Sequence, residues 1–370
     1  MQIRAEHLEN IIRSILIAAG SDSAEAEFVT EHLVTANLTG HDSHGAGMLP
    51  TYLRSIRNGL LKPNTPVRSV SDSGSIMVFD GQRGFGQRVA REAMEQAIER
   101  CQETGLLLMG LRNAHHIGRV GSYGEQSIAS GLISLHFVNV TDHPPVVAVH
   151  NGADARLLTN PICFAMPGTA HTPEILLDMA TSKIALGKAR VAMNAGKPIA
   201  DNTLLDARGN PTNDPNVLFS DPMGAIKPLG RYKGFGIAFF CELLAGALTG
   251  GGTIQPENPR DGSIINNMLT ILIKPEHLVD KDWLHHEIDA LSDYAHKSPL
   301  ANDADDDIMI AGEPERRQRA ERSKNGIPVD PNTWQELVDA GMSVGISKSE
   351  LDSFINLNGE KNAGYSLSAF

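Results

Sequence analysis

The sequence predicts a protein of mixed helices and strands divided between two structural lobes. Three observations predict it. At 370 residues the chain is too long for one ordinary hydrophobic core. Its start and its end carry apolar residues at helical spacing. Its middle alternates short apolar runs with turns.

In chain order, Leu8, Ile11, Ile12 and Ile15 form one stripe of a first helix. After the cap-like run Ser21-Asp22-Ser23, Phe28, Val29, Leu33 and Ala36 repeat the pattern up to Gly40. Met77-Val78-Phe79 reads as a short strand ending at Asp80-Gly81. Val89, Ala90, Ala93, Met94, Ala97, Ile98 and Cys101 mark an amphipathic helix stopped near Gly105. The runs Leu106–Leu111, Ile133–Val138, Val146–Val149 and Ile175–Leu177 follow, with Leu106–Leu111 reading as a buried strand. Lys233–Leu248 reads as a buried helix and Met268–Ile273 as another strand. The region 296–332 is charged, with Asp303, Asp305, Asp306 and Asp307 grouped, and reads as an exposed connection before a helical end containing Trp334 and Leu337. No internal repeat is present.

A formal charge of −12 disfavours nonspecific binding to nucleic acid or to anionic membranes. No apolar run approaches the length of a membrane span, and Arg4, Glu6, Glu9 and Arg13 break up the first 20 residues, which excludes a secretory signal. Cys101, Cys163 and Cys241 are widely spaced among apolar neighbours, the usage of buried thiols in a reducing compartment. A cytoplasmic enzyme is expected.

Two clusters carry chemistry. His41, Asp42, Ser43 and His44 place proton-carrying groups beside Gly45 and Gly47, which allow close approach. Asn113 to Gly121 (NAHHIGRVG) brings His115, His116 and Arg119 together after the strand at 106–111, a pattern suited to an anionic ligand. A polar turn that caps helices remains the alternative for either cluster taken alone. The standard nucleotide and hydrolase signatures fail. Gly84-Phe85-Gly86-Gln87-Arg88-Val89 has Val where a dinucleotide fingerprint needs its third glycine. Gly196-Lys197-Pro198 lacks the Ser or Thr of a P-loop, and neither HExxH nor a Gly-x-Ser-x-Gly elbow occurs.

Six blocks in order, SHGAGMLPTYLRSIRNGLLKPN, NAHHIGRVGSYGEQ, LLTNPICFAMP, LLDMATSKIALGKARVA, RYKGFGIAFFCELLAGALTGG and AGEPERRQRAERSKNGIPVD, resemble the type 2 malate/L-lactate dehydrogenase family over about residues 5–345. The resemblance implies a nicotinamide-dependent oxidoreductase acting on 2-oxo or 2-hydroxy acids. It also implies an α+β fold. Its nicotinamide-binding domain is not a Rossmann unit and has a largely antiparallel sheet (76–299). A helical lobe is formed by the N- and C-terminal segments (1–75 with 300–370). The family's members are typically dimers, and NAD is the favoured cofactor, with NADP the alternative.

Site residues carry over by block. His44 is implied as proton donor and Ser43 as part of a relay orienting it. Cofactor contacts fall on His44, Gly118, Arg119, Val120, Asp178, Met179, Ala180, Thr181, Ser182, Arg231, Lys233, Gly234, Gly312, Glu313 and Arg316. For Asp178, an N-cap to Thr181 N–H is the structural alternative. Met48, His116, Thr159 and Asn160 are implied on the substrate side. Three positions depart from the family: Met48 stands where many relatives have a carboxylate-gripping arginine, Ala311 where a proline is usual, and Lys188 where some have an aspartate. Met48 predicts a softer pocket open to bulky or aromatic 2-oxo acids, with Arg119 or Arg54 taking the carboxylate. A metal-dependent hydrolase or lyase built on His41, His44, His115 and His116 is the alternative function, followed by a non-catalytic nicotinamide-binding protein.

Overall fold

The apolar stripes at both chain ends need partners, and in the computed structural model they find each other. The model describes residues 1–356 apart from 195, 259 and 305, so Asp305 and residues 357–370 of the expected helical lobe lie outside the described residues. A short strand β1 (Gln2–Ile3) precedes helices α1 (Ala5–Ala18), α2 (Ser23–Leu38) and α3 (Leu49–Arg57). Asp22 caps α2 by accepting from Glu25 N–H at 2.8 Å. Leu8, Ile12, Leu33 and Tyr52 pack in one cluster with Ile327, Leu337 and Leu351 from the far end of the chain.

The middle of the chain builds a seven-stranded sheet. The hairpin β2 (Arg68–Asp72) and β3 (Ile76–Asp80) leads into α4 (Gly86–Thr104), which stops at Gly105. Then come β4 (Leu106–His115), α5 (Gly121–Ala129), β5 (Ile133–Thr141), β6 (Val147–Ala148), β7 (Ala155–Leu157), β8 (Ile162–Met166), β9 (Ile175–Met179) and α6 (Leu186–Asn194). Short strands β10 (Leu204–Leu205), β11 (Pro211–Thr212) and β12 (Ala225–Ile226) precede α7 (Tyr232–Cys241), a π-helical continuation at Glu242–Ala247, and β13 (Ile265–Ile273). The chain ends in α8 (Lys281–His296), α9 (Glu313–Asn325), β14 (Ile327–Pro328), α10 (Pro331–Ser343) and α11 (Lys348–Asn356).

The large sheet runs β2-β3-β4-β13-β5-β8-β9, and every pairing except β3 with β4 is antiparallel. A smaller sheet, β11-β10-β12-β6-β7, lies beside it, and β1 pairs with β14. A second apolar cluster joins α4 to one face of the large sheet through Val89, Ala93, Leu107, Leu111 and Met268.

Three expectations need correction. The run 233–248 is not a buried helix. It packs one face on β5 and β13, but Tyr232, Phe240 and Leu248 are each at least 60 % exposed. Apolar residues all round a helix do not distinguish a buried helix from one with an uncovered apolar face. The charged region 296–332 is not only a connection, because α9 lies inside it with no buried residue. The strand at 106–111 continues to His115, since β13 supplies pairing partners up to Ile265. This shortens the loop of the second histidine cluster.

Candidate active site

Pairing along β4 delivers His115 and His116 to one end of the sheet. Two asparagines of β13 hold that end, where the ladder is irregular: Asn267 Oδ1 accepts from Asn113 N–H and Asn266 Oδ1 from Ile117 N–H, both at 2.9 Å. The loop then turns through Gly118 at φ 73°, so close to α2 that a Cβ would lie 2.3 Å from His32 Nε2. His32 uses that nitrogen to accept from Arg119 N–H at 2.8 Å. The bond fixes its neutral form, and burial holds its pKa down to about 3. Nothing local in the sequence pointed to His32, because its partner is 87 residues away.

His44 arrives from a short turn after α2, held by Asn37, whose Nδ2 donates to Asp42 Oδ1 at 2.6 Å and whose Oδ1 accepts from Ala46 N–H at 2.8 Å. Arg322 of α9 grips the same Asp42 carboxylate at 2.7 and 3.0 Å. The His44 ring stacks on that of His116, with centroids 5.3 Å apart and planes 20° from parallel. His44 Nδ1 is buried without a hydrogen-bond partner, and Nε2 makes no hydrogen bond among the described residues. Burial lowers the His44 pKa to about 4, aided by His41 and Arg119 and opposed by the Asp178 carboxylate. Ser43 lies against Gly187 of α6. Among the described residues its hydroxyl makes no bond to His44, and Lys188 is exposed.

Among the described residues Arg119 is the largest fully buried side chain. It donates to Glu125 at 2.8 Å and lies 3.9 Å from Asp178. Asp178 accepts from Gly121 N–H at 2.7 Å, so it caps α5 and not a helix after itself. Thr181 N–H bonds instead to Thr159 O at 2.9 Å. The strand end 178–182 also meets the block at 231–234. Leu229 N–H donates to Thr181 O at 2.9 Å, and a Cβ on Gly234 would lie 2.6 Å from that oxygen. Arg231 and Lys233 stand exposed beside this contact, with Gly234 buried.

On the other side, Gly312 and Arg316 meet the start of β9. Arg316 Nη1 donates to Glu174 O at 2.6 Å, and both residues line a hollow with Arg119, Glu125, Glu315 and Arg319. Arg119 Nε and Arg316 Nη2 are buried donors without a hydrogen-bond partner among the described residues. Glu313 points elsewhere, bonding His296 at 3.0 Å. Asn160 is fully buried, its amide donating to Glu242 Oε1 at 2.8 Å and to Ala238 O at 3.1 Å. Met48 is half-buried near the N-terminus of α3, and Arg54 is bonded to Thr51 on the exposed face of that helix. His41 turns to Glu315 at 3.5 Å, and His115 is fully buried with neither ring nitrogen partnered. The four histidines therefore do not converge. Among the described residues no group of three or more His, Cys, Asp or Glu side chains could hold a metal ion, and the hydrolase or lyase alternative finds no ligand set.

Comparison with known proteins identifies the family. Residues 3–338 match the family model for malate/L-lactate dehydrogenase. The chain is 40 % identical over 352 residues to hydroxycarboxylate dehydrogenase B of Escherichia coli strain K12, covering 95 % of this chain and 96 % of the relative. It is 39 % identical to L-lactate dehydrogenase of Cupriavidus necator, covering 94 % and 99 %. The solved structure of sulfolactate dehydrogenase from Methanocaldococcus jannaschii superimposes with a TM-score of 0.81 at 30 % identity, covering 96 % of this chain and all of that one (100 %). Malate dehydrogenase from Pyrococcus horikoshii OT3 gives a TM-score of 0.82 at 28 % identity, covering 94 % and 96 %. With a family match over residues 3–338 and relatives about 40 % identical along almost its whole length, this chain belongs to the malate/L-lactate dehydrogenase family, oxidoreductases acting on CH–OH groups.

Proposed function

We propose that the protein moves a hydride between NAD(H) and a small 2-hydroxy or 2-oxo carboxylic acid, with His44 as the proton carrier. The observation that carries this reading is the His44 ring, stacked on His116, with Nε2 unbonded among the described residues, under the charges of the buried Arg119–Asp178 pair. The nicotinamide ring, when bound, supplies or receives the hydride at the substrate's C2. The protein's part is to hold the carboxylate and to exchange one proton at the C2 oxygen. In the oxidising direction neutral His44 takes the hydroxyl proton on Nε2. In the reducing direction the same atom gives it back. A bound carboxylate favours the protonated ring and raises its pKa from the free-enzyme value.

The orphaned donors of Arg119 and Arg316 suit a dinucleotide's anionic and ribose groups. Residues 118–120, 178–182, 231–234 and 312–316 would line its path. In the hollow Arg119 pairs with Glu125 and Arg316 with Glu174, while Glu315 faces His41. With Arg119 and Arg316 already paired, the hollow has less free positive charge to offer a 2′-phosphate, which favours NAD over NADP. The substrate would lie between His116, Met48 and the Thr159-Asn160 turn, with Arg119 the buried cation nearest to its carboxylate. Residues 1–75 with 300–370 would form the helical lobe, and 76–299 the cofactor- and substrate-binding domain. No helix among the described residues is long and apolar enough to cross a membrane. Three buried free cysteines support a cytoplasmic setting.

Absorbance of NADH and NADPH, taken in turn against pyruvate, oxaloacetate, phenylpyruvate and hydroxyphenylpyruvate, tests the reading. Oxidation of NADH by at least one acid is expected. Tight NADH binding with no turnover would sink it. Met48→Arg should shift the ratio of rates toward pyruvate over phenylpyruvate, because it restores a cation and removes apolar room. An unchanged ratio would remove Met48 from substrate choice.

The pH profile follows from His44. Its free-enzyme pKa is lowered to about 4, so kcat/KM for hydroxy-acid oxidation should hold through mildly acidic pH and fall only as pH drops through that value. An ordinary histidine would place this limb near about 6.5. A homodimer is also part of the proposal. The uncovered face of α7 and its continuation carries Tyr232, Phe239, Phe240, Leu243 and Leu248, an apolar patch of the kind a second copy covers. Phe240→Asp is expected to shift light-scattering mass from dimer toward monomer.

A further inference from the structure

His116 is backed by two side chains that the chemistry described so far does not use. Tyr52, from α3, is fully buried, and its hydroxyl lies 2.7 Å from His116 Nδ1. Gln87, from the first turn of α4, is also buried and donates from Nε2 to the same hydroxyl at 2.7 Å. The Tyr52 ring is fixed edge-on against Phe85 and His115, each at 5.8 Å. A phenol has one proton to give. Since its oxygen already accepts from Gln87, that proton goes to His116, and Nδ1 of His116 must accept it. The ring's own proton then sits on Nε2. That atom makes no hydrogen bond among the described residues, which leaves its proton free for a bound group.

We propose that Tyr52 and Gln87 are positioning residues that lock His116 as the single neutral tautomer protonated on Nε2. The other ionisable rings around it are His44, His115, His32 and His143. A second positive charge stacked 5.3 Å from His44 would oppose protonation of that ring. With His116 locked neutral, only His44 of the stacked pair changes its proton count, and His116 offers a fixed N–H to the substrate's oxygen. This last consequence rests on the dehydrogenase reading. The tautomer lock does not.

Gln87 Oε1 is buried without a partner, which defines the competing arrangement. With the amide turned over, Oε1 would take the Tyr52 proton and His116 would have to donate from Nδ1. Nitrogen NMR of the full chain labelled with [15N]histidine separates the two, using His116→Gln to assign the ring. The expected spectrum shows a protonated Nε2 and a bare Nδ1, unchanged between about pH 6 and pH 8. Tyr52→Phe should move both resonances toward the average of the two tautomers, and Gln87→Met should do so in part. Tyr52→Phe should also lower kcat/KM for the 2-oxo acid about tenfold, with NADH affinity unchanged. A protonated Nδ1 in the wild type, or an unmoved signal in a folded Tyr52→Phe or Gln87→Met protein, would overturn the proposal. If the expected tautomer were seen in a protein that oxidised no nicotinamide, the lock would stand and the dehydrogenase reading alone would fall.

Discussion

Replacing His44 by alanine is expected to slow nicotinamide oxidation by about 100- to 10,000-fold, the range supplied by a positioned acid or base. The effect should fall on kcat and kcat/KM alike, because the proton is shared only as the C2 oxygen gains or loses charge. NADH affinity, read by fluorescence quenching, should change much less. His44 stands in a turn fixed by Asn37 and Arg322 through Asp42, so losing its ring removes chemistry and leaves that support. Steady-state rates of the alanine variant beside the wild type check this. A variant with more than about a tenth of wild-type kcat would assign the proton to another group, with His116 first in line.

Arg119→Met carries the second large effect. It takes the guanidinium from between Glu125 and Asp178 and leaves the Asp178 carboxylate, with a 7 % exposed side chain, without its cation. Breaking a buried pair from one side costs about 3–5 kcal/mol. The lower end is expected here because Glu125 reaches solvent and Asp178 keeps its bond to Gly121 N–H. The urea midpoint should fall accordingly, and NADH affinity should fall with it because the same side chain walls the hollow shared with Arg316. Arg119→Lys keeps the charge but loses the planar fork, and should recover stability better than binding. If Arg119→Met unfolded at the wild-type urea midpoint, the pair would be decoration.

Local rules made much of the fold legible. The helix stripes, the Asp22 cap, the stop at Gly105 and the strands at 77–79, 133–138 and 268–273 depend on neighbours in sequence, and the structure contains them. The ordered blocks carried the family. What stayed hidden depends on partners far along the chain. His32 acts through a backbone amide 87 residues on, and Asn266 and Asn267 hold backbone about 150 residues away. Tyr52 and Gln87 meet His116 only because α3 and α4 converge on the end of β4. The α7 run was misread for a different reason, since an apolar sequence does not say which of its faces is covered.

The pairing of β1 with β14 gives the molecule an order of assembly. Ile3 lies opposite Ile327, and the amino group of Met1 donates to Val329 O at 2.8 Å. The first three helices therefore leave the ribosome some 270 residues before the chain that completes their core. The sheet, whose central strands are in hand once β13 has emerged, can form during that wait. Arg322, which clamps the turn bearing His44, also appears only after every strand of the sheet. The histidine turn is thus tied down only after the sheet's strands have emerged, and a product cut before α9 would carry the sheet without that clamp.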